Sequence, residues 1–401
     1  MIDISPSSIL SHLPPYLFTK ISLLKKEAFE KKLDVIDLGM GNPDMPTPAH
    51  IVDILCDSIK HHKNTHRYPQ AKGIPKFRKA IVQWMSRRFG VELDYENEVL
   101  ALIGSKEGIA HICMAYLEAK DYALVCDPSY PVHFNGVALA GAKIFRMPLL
   151  EKNNYLPDFT KIPTKILQKT KIMFLNYPNN PTAAVVEDLS FWKETIHFCK
   201  KYDILLVSDN AYSELTFGNY YAPSIFEFSG AKNVALEFHS FSKTFNMAGW
   251  RLGWVCGNKK LLYPLEKFKS FLDYGPPLFI QLAGVAALNG HQNCIRELSR
   301  VYEKRMQKMV HGLKKNGWKA KETKATMYVW AGLPNCLAKE GSLSVAERLL
   351  KETGVVVSPG VSFGESGEGY ARMSLVTHDK RFHDALIRIS KFTKSAMQNH
   401  S

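Results

Sequence analysis

The segment SFSKTFNMAGWRLG, residues 240–253, is the part of the sequence that decides the fold class. It follows residues 235–239, which are predicted to form a β-strand. Ser240 and Ser242 precede Lys243, and Arg251 follows it by eight residues. Hydroxyls and a guanidinium fork bind phosphate monoesters, and a lysine beside them can form a Schiff base with a carbonyl compound. The segment predicts a phosphate site with a reactive lysine at a strand end, although a plain surface lysine stays the alternative for this segment alone.

Two motifs closer to the N-terminus also follow predicted strands. GSKEG, residues 104–108, opens an amphipathic helix, so its free backbone N–H groups and the Ser105 hydroxyl predict an anion site. An ordinary helix cap is the alternative. DPSYP, residues 127–131, holds Tyr130 between prolines, where its ring could stack on a flat cofactor or simply pack in the core.

Two further motifs complete the set. NYPNNPTA, residues 176–183, has turn-forming residues that project Asn180 from the carboxyl edge of the sheet. SDNAY, residues 208–212, puts Asp209 at the end of an apolar strand. A buried carboxylate is costly unless a cation or a strong donor meets it, and a pyridinium nitrogen is such a partner; a helix N-cap is the alternative. Because all five motifs follow strands, we expect them to meet where ligands bind in open α/β folds.

Short apolar runs alternate with amphipathic segments through the middle of the chain, which predicts an α/β fold with a mostly parallel central sheet. Strands are predicted at residues 123–126, 143–147, 171–175, 204–208, 235–239 and 250–256, with helices that include 106–117 and 191–201. A long charged helix after residue 292 and short strands at 327–330, 355–357 and 371–375 predict a smaller α+β domain. We expect an N-terminal arm with part of the small domain at 1–45, a large domain at 46–290 and a small C-terminal domain at 291–401.

Composition limits the class of protein. With 46% hydrophobic and 22% charged residues, the chain is typical of a globular protein. The net charge of +14 raises nucleic acid, acidic membranes and anionic small molecules as partners, but no more than two basic residues are adjacent, which disfavours nucleic acid. Seven cysteines without a C-x-x-C pair predict neither a disulfide framework nor a metal site and favour a cytoplasmic location. We expect no secretory signal and no membrane span.

Together the five motifs supply a lysine, phosphate ligands, a stacking tyrosine, a phenol and a carboxylate, which are the groups that pyridoxal 5'-phosphate (PLP) requires. The chain resembles the fold type I, class I and II PLP-dependent aminotransferases, with matching motifs from MGNPD (40–44) to ARMSL (371–375). Within that family, LPPY, IGSKEG, DPSYP and the DYG near residue 275 are most similar to bacterial alanine (glutamate–pyruvate) aminotransferases and their LL-diaminopimelate aminotransferase relatives.

The resemblance implies a role for each matching residue. Lys243 would be the Schiff-base lysine, and Asp209 would be the anion that keeps the pyridine nitrogen protonated. Asn180 and Tyr212 would hydrogen-bond the phenolic oxygen of the ring, and Tyr130 would stack on the ring. The phosphate would be held by Ser105, Lys106, Ser240, Ser242 and Arg251, together with Tyr68 donated across a homodimer interface.

The resemblance also implies a substrate site. Arg372 would grip the α-carboxylate with its bidentate fork, Gly41 would offer backbone to the same group, and Tyr16 would cover the site. Two departures from the family pattern stand out. Ala183 replaces a glycine of many relatives, which affects turn geometry more than chemistry. Residues 273–281 lack the arginine with which aspartate-type enzymes bind a side-chain carboxylate, which weakens a preference for dicarboxylates.

The expected activity is transfer of the amino group of an L-amino acid, with alanine as the first choice, to 2-oxoglutarate by a ping-pong mechanism. The alternatives are LL-diaminopimelate transamination and a PLP-dependent carbon–sulfur β-lyase, since the same lysine and electron sink serve elimination. A non-enzymatic PLP-fold regulator is disfavoured because such regulators append a DNA-binding domain, and here the first motif begins near residue 39.

Overall fold

The computed structural model describes residues 4–13 and 17–398, so Tyr16 lies outside the described residues. The described strands are β1 (Ile36–Asp37), β2 (Val99–Leu102), β3 (Tyr122–Asp127), β4 (Lys143–Pro148), β5 (Thr170–Leu175), β6 (Leu205–Asp209), β7 (Ala235–Ser240), β8 (Gly253–Gly257), β9 (Lys319–Ala320), β10 (Tyr328–Gly332), β11 (Val355–Val356), β12 (Ser358–Pro359) and β13 (Tyr370–Ser374).

The described helices are α1 (Leu17–Glu30), α2 (Ala49–His61), α3 (Pro75–Phe89), α4 (Ser105–Tyr116), α5 (Pro131–Leu139), α6 (Thr164–Leu167), α7 (Ser190–Lys201), α8 (Phe241–Thr244), α9 (Lys259–Leu272), α10 (Leu278–Asn289), α11 (Asn293–Lys314), α12 (Ser342–Thr353) and α13 (Asp379–Gln398). None of these helices is both long enough and apolar enough to cross a membrane.

A seven-stranded sheet forms the centre of the molecule, in the order β2-β8-β7-β6-β5-β3-β4. Strands β3 to β7 pair in parallel with one another, whereas β8 is antiparallel to both of its neighbours. One face packs on α4, α5 and α9, and the other face packs on α7 over much of its width. Burial on both faces explains why β5 and β6 contain the uninterrupted apolar runs IMFL and LLV. The predicted α/β class with a mostly parallel sheet is confirmed.

The polarity of the strands brings the five motifs to one edge of this sheet. Because β2 and β7 are each antiparallel to β8, they run in the same direction as each other. The carboxyl ends of β2, β3, β5, β6 and β7 therefore lie at the same edge as the start of β8. Arg251 precedes β8, and because β8 runs in the opposite direction, this residue lies at the same edge as the motifs that follow the other strands.

The strand predictions need three corrections. The predicted strand 250–256 begins only at Gly253, because residues 248–250 form a 3₁₀ turn and Arg251 has a φ of +53°. Strand β2 was implied by the position of GSKEG at a strand end but was given no bounds, since four apolar residues between polar segments are a weak signal. The predicted strand 355–357 is divided: β11 pairs in parallel with β1 in a separate two-stranded sheet, and β12 joins the second sheet.

The second sheet has four strands in the order β12-β13-β10-β9, all antiparallel. A single apolar cluster surrounds it and joins the two ends of the chain, because Ile21, Ile36 and Leu38 pack in it with residues from α11, α12 and α13. The buried positions of α11 recur at three and four residues, as an amphipathic helix requires. The predicted association of the N-terminal segment with C-terminal residues agrees with this packing; the boundaries at 45 and 290 stay predictions.

Candidate active site

A cavity of about 260 Å³ opens at the carboxyl edge of the seven-stranded sheet, where β10 and β13 of the second sheet face it. Most of the residues singled out in the sequence meet there. Those that line the cavity are Gly41, Ser105, Lys106, Tyr130, Asn180, Asp209, Tyr212, Ser240, Ser242, Lys243, Arg251 and Arg372.

Tyr68 is not among the lining residues of its own chain. Its side chain is 86% exposed, and its ring lies 5.4 Å from the ring of Tyr274. A surface tyrosine of this kind serves a cofactor only if another subunit covers it, so its predicted role depends on assembly.

Lys243 lies in the single turn α8 immediately after β7. Its Nζ donates a hydrogen bond to the Gly41 carbonyl oxygen at 2.5 Å. Burial lowers the pKa of Lys243 from its ordinary value, and the positive charges of Arg372 and Arg251 lower it further against an opposing effect of Tyr328. A lysine with a lowered pKa gives up its proton more readily, so Lys243 is suited to act as a nucleophile and as a base.

Asp209 ends β6 and is 4% exposed. Its Oδ2 lies 3.2 Å from Nε2 of His133, whose Nδ1 lies 2.7 Å from the hydroxyl of Ser129 and whose ring stacks on Phe174. Its Oδ1 is buried and has no partner among the described residues. The protein thus fixes one carboxylate oxygen and leaves the other able to accept a hydrogen bond from a ligand.

The N-terminus of α4 and Arg251 form a corner of the cavity that is suited to an anion. Gly104 has a φ of +77°, and a Cβ at that position would lie 2.5 Å from Nη2 of Arg251, so the guanidinium packs directly on the glycine. The Arg251 backbone is itself left-handed, and its Nη1 donates to the Ala248 carbonyl at 2.8 Å. Unpaired N–H groups at a helix start favour an anion, and a guanidinium beside them adds charge. The hydroxyls that also line this cavity are those of Ser105, Ser240 and Ser242.

A chain of hydrogen bonds crosses the cavity wall. Asn180 is 3% exposed, and its Oδ1 accepts a hydrogen bond from Arg372 Nη1 at 2.8 Å. Its Nδ2 lies 3.5 Å from the hydroxyl of Tyr212, which in turn lies 3.1 Å from the hydroxyl of Tyr328. Burial raises the pKa of Tyr212 well above its ordinary value, so this phenol stays protonated and can donate. Ala183, which follows in the same loop, has a φ of +57°, a conformation that glycine adopts freely.

Arg372 lies on β13 and is 5% exposed. Its guanidinium lies between two aromatic rings, with Cζ 4.2 Å from the centroid of Tyr328 and 4.5 Å from that of Phe363. Nη2 donates to the Gly39 carbonyl at 2.8 Å, and Nε is buried without a partner among the described residues. No carboxylate of the described chain forms an ion pair with this guanidinium, which fits it to receive the carboxylate of a substrate.

The residues of the site that were not found from the sequence include His133, Tyr328 and Phe363. His133 could have been found, because it follows Tyr130 by three residues at the start of a helix, and positions three apart share a helix face. Tyr328 and Phe363 carry no comparable local signal. Tyr328 lies in an apolar strand, and only the antiparallel pairing of β10 with β13 brings it to Arg372.

The donor set of the cavity fits PLP. The buried, unpartnered Oδ1 of Asp209 matches a protonated pyridine nitrogen. The corner formed by α4 and Arg251 matches a phosphate, and a side chain at Gly104 would fill it. Lys243 presents an amine to the same cavity, and Tyr130 lines the cavity beside these groups. Fold and site together define a lysine-dependent PLP enzyme.

Comparisons with known proteins specify the family. The profile described as "Aminotransferase class I and II" matches residues 33–389, and the chain belongs to that family. It is therefore a PLP-dependent aminotransferase, an enzyme and not a non-enzymatic regulator. It is 45% identical over 382 residues to LL-diaminopimelate aminotransferase of Moorella thermoacetica, covering 95% of this chain and 97% of that protein.

Two further relatives support the same assignment. Glutamate-pyruvate aminotransferase AlaC of Escherichia coli is 42% identical over 377 residues, covering 94% of this chain and 91% of that protein. The solved structure of substrate-bound BacF from Bacillus subtilis superposes with a TM-score of 0.92 at 38% identity, covering 98% of each chain. The predicted fold type I architecture is confirmed by these similarities.

Proposed function

We propose that this aminotransferase moves the amino group of an L-amino acid, with alanine as the first candidate, to 2-oxoglutarate. The observation that carries the proposal is that Lys243 and the buried Arg372, which has no ion pair within the described residues, line one cavity. Substrate and product share an α-carboxylate, so one guanidinium serves both half-reactions. Use of one site by two substrates in turn predicts ping-pong kinetics.

Some residues of the site would bind the substrate, and Lys243 would transfer the proton. Arg372 binds the α-carboxylate, and Asn180 and Gly39 hold the guanidinium in place through their oxygens. Gly41 contributes backbone beside the same group. Lys243, as a neutral amine, accepts the proton from the substrate α-carbon at Nζ and gives a proton back later in the cycle; its lowered pKa favours that neutral form.

The residues that would hold PLP are those that line the cavity. Its ring nitrogen would donate to Asp209, with Tyr130 beside the ring and with Asn180 and Tyr212 near the ring oxygen. When bound, PLP supplies a protonated ring that withdraws the electrons left on the substrate carbon after proton removal. The residues that would hold its phosphate are Ser105, Lys106, Ser240, Ser242 and Arg251.

The Lys243→Ala variant tests the assignment of the reactive lysine. We expect it to lose turnover and the visible absorbance of lysine-bound cofactor. Among the described residues, the only other lysine that lines the cavity is Lys106 in α4. Lys267→Ala, an exposed lysine on α9, serves as the matched control and should retain both signals. Turnover and visible absorbance that both persist in Lys243→Ala would show that the wrong lysine is named.

Alanine is the donor that the cavity supports best. Its methyl group needs no partner, and Asp209, already hydrogen-bonded by His133, is the only carboxylate that lines the described cavity. LL-Diaminopimelate is the second candidate, favoured by the relatives of that name. Its distal ammonium group would need a carboxylate from elsewhere, such as a second subunit. A panel of amino donors, each paired with 2-oxoglutarate and followed by product formation, decides between them by the ratio of kcat/KM values.

A carbon–sulfur β-lyase remains an alternative reaction of the same residues, since removal of the α-proton by Lys243 starts both reactions. Incubation with cystathionine in the absence of any oxo-acid acceptor distinguishes them. An aminotransferase gives no sustained pyruvate release under these conditions, whereas a β-lyase does.

A homodimer is the assembly that gives Tyr68 a role. Its 86% exposure and its place outside the cavity of its own chain support donation to the phosphate site of a partner. Co-expression of Lys243→Ala and Tyr68→Ala subunits tests this. Hybrid dimers would contain one intact site and recover activity that neither variant has alone; no recovery would contradict sharing. The cytoplasmic location stays a prediction from the cysteine pattern.

A further inference from the structure

The segment between β12 and β13, residues 360–369, supplies one wall of the Arg372 site. Phe363, which ends a 3₁₀ turn in this segment, is buried, and the centroid of its ring lies 4.5 Å from Cζ of Arg372. An aromatic ring against the face of a guanidinium leaves the edge, with its N–H groups, available to a carboxylate. The position of Phe363 therefore affects how the Arg372 fork is presented to the cavity.

Asp127, the last residue of β3, contacts this segment from the side of the seven-stranded sheet. Its Oδ1 accepts a hydrogen bond from the backbone N–H of Ser366 at 3.0 Å. The backbone of Gly364 packs on the same oxygen so closely that a Cβ at Gly364 would overlap it. The Asp127 carboxylate thus holds the backbone that directly follows Phe363.

A second contact from the same DPSYP motif holds Phe363 itself. The backbone N–H of Ser129 donates to the Phe363 carbonyl oxygen at 2.8 Å. The hydroxyl of Ser129 lies 2.7 Å from Nδ1 of His133, and Nε2 of His133 lies 3.2 Å from Asp209. The motif therefore connects one wall of the substrate site with the carboxylate that would hold the cofactor ring.

The burial of Asp127 explains why its contact with residues 364–366 is a strong one. The residue is 1% exposed, and a buried carboxylate is costly unless fixed donors satisfy it. Its Oδ2 lies 3.1 Å from Nη1 of Arg146, but the Arg146 side chain is 43% exposed, and exposed ion pairs contribute little to stability. The buried Oδ1 therefore favours the conformation in which the Ser366 N–H lies against β3.

We propose that Asp127 is a positioning residue for substrate carboxylates, because it holds residues 364–366 and so keeps the Phe363 ring stacked on the Arg372 guanidinium. This inference rests on the proposed role of Arg372 as the carboxylate site. Without the Asp127 acceptor, the segment loses its attachment to β3, and the guanidinium loses the ring that fixes its orientation. The expected result is weaker carboxylate binding in a protein that still holds its cofactor.

The test measures the dissociation constant of propionate, a carboxylate without an amino group, from the holoenzyme by calorimetry. Asp127→Ala should raise this constant by about tenfold, since a buried N–H loses its charged acceptor. KM for the amino donor should rise with it, whereas kcat and the visible absorbance of bound cofactor should change little. An unchanged propionate dissociation constant would overturn the proposal.

Two further variants separate positioning from loss of charge and loss of stability. Asp127→Asn keeps an oxygen that can accept the Ser366 N–H, so it should restore most of the propionate affinity. Asp121→Ala is the matched control, because Asp121 directly precedes β3, is 5% exposed, accepts the Glu118 N–H at 2.8 Å and pairs with Lys171 at 2.9 Å. It should lower the thermal unfolding midpoint and leave propionate affinity unchanged. Equal affinity losses in Asp127→Ala and Asp127→Asn, or in Asp127→Ala and Asp121→Ala, would contradict the inference.

A double-mutant cycle identifies the route of the effect. If Asp127 acts through Phe363, the combination of Asp127→Ala with Phe363→Leu should bind propionate about as weakly as Phe363→Leu alone. Fully additive losses would show that Asp127 acts by another route. Gly364→Ala disrupts the same contact from the other side and should also weaken propionate binding, so the proposal stays testable if Asp127→Ala does not fold. Wild-type affinity in Gly364→Ala would count against it.

Arg372→Lys separates this inference from the proposed function. If Arg372 binds carboxylates, propionate affinity should fall in this variant. Unchanged affinity would mean that the carboxylate site itself is misassigned. A loss of affinity in Arg372→Lys together with wild-type affinity in Asp127→Ala would reject only the positioning role of Asp127.

Discussion

Two buried polar atoms without partners in the described chain define what the cavity must receive. Asp209 Oδ1 and Arg372 Nε are both in this state. An unsatisfied buried polar group costs about 1–3 kcal/mol, more when it is charged, so a ligand that satisfies both gains affinity from each. A protonated ring nitrogen of the cofactor would donate to Asp209, and the α-carboxylate of an amino acid would accept from Arg372.

The Arg372→Lys substitution should raise KM for the amino acid and the oxo acid together. The planar fork gives more than one hydrogen bond to a carboxylate, and lysine cannot reproduce that geometry. Loss of one charged hydrogen bond costs about 1.5–3 kcal/mol, so we expect an increase of about 10- to 100-fold in each KM. Initial-rate kinetics with each substrate varied in turn measures the effect.

Arg348→Lys is the control for that substitution, because Arg348 makes ion pairs with Glu340 and Glu352 away from the cavity. It should leave both KM values unchanged. A KM effect in Arg372→Lys confined to one of the two substrates would contradict a shared carboxylate site.

At the level of single residues, the sequence predicted those site residues that lie in a short, recognisable motif. Lys243, Asp209 and Arg251 follow or precede strands in motifs of hydroxyl and turn residues, and the strand ends bring them together. Tyr328 could not be predicted in the same way, because its position depends on the register of β10 against β13 and on a strained turn at Thr326. Neither is encoded within a window of neighbouring residues.

At the scale of elements, the start of α4 is where backbone conformation and ligand binding depend on each other. Gly104→Ala should weaken PLP binding to the apoenzyme by at least about tenfold. An alanine at this position would have to adopt a positive φ, and its methyl group would displace Arg251. A loss of about 1.4 kcal/mol in binding free energy is enough for a tenfold change in the dissociation constant. Titration of apoenzyme with PLP, followed by absorbance, gives the dissociation constant.

Gly90→Ala provides the matched comparison. Gly90 also has a positive φ, +65°, at the end of α3, but a Cβ there would meet nothing within 4 Å. It should lose about 1 kcal/mol of stability through backbone strain and keep wild-type PLP affinity. Equal losses of PLP affinity in the two variants would mean that backbone strain, and not the contact with Arg251, is responsible.

The elements that the sequence predicted well are the long and periodic ones. Helices α4 and α7 begin one residue before their predicted starts, and α11 ends at Lys314 within the predicted charged segment. Short strands were less predictable, since β11 and β12 are adjacent in sequence yet belong to different sheets. Which sheet a two-residue strand joins depends on distant partners, and periodicity contains no information about them.

At the scale of the whole molecule, Asp34 links the N-terminal segment to the last helix. Its carboxylate accepts hydrogen bonds from Arg381 at 2.6 Å and Arg388 at 2.5 Å, and these hydrogen bonds lower its pKa from 3.8 to about 2. Because the pKa is lower in the folded state than in the unfolded state, the Asp34 carboxylate stabilises the folded protein at pH values above its ordinary pKa of 3.8. That stabilisation is lost as the pH falls through about 2.

Asp34→Asn should therefore lower the thermal unfolding midpoint at neutral pH, and the difference from wild type should shrink as the pH approaches 2. Circular dichroism melts at a series of pH values measure it. Asp53→Asn, at an exposed aspartate of α2 with no ion pair in the described chain, should show no such difference. A constant deficit at all pH values would point to packing instead of charge.

The pairing of β1 with β11 also has a consequence for synthesis on the ribosome. Ile36 pairs with Val355, so a segment made among the first tenth of the chain finds its partner only when most of the chain has emerged. Until then, Ile36 and Leu38, which are fully enclosed in the finished protein, remain exposed on the nascent polypeptide. The seven-stranded sheet, complete by residue 257, can form before that point. Translation thus allows an order of assembly in which the seven-stranded sheet forms before the two ends of the chain pair with each other.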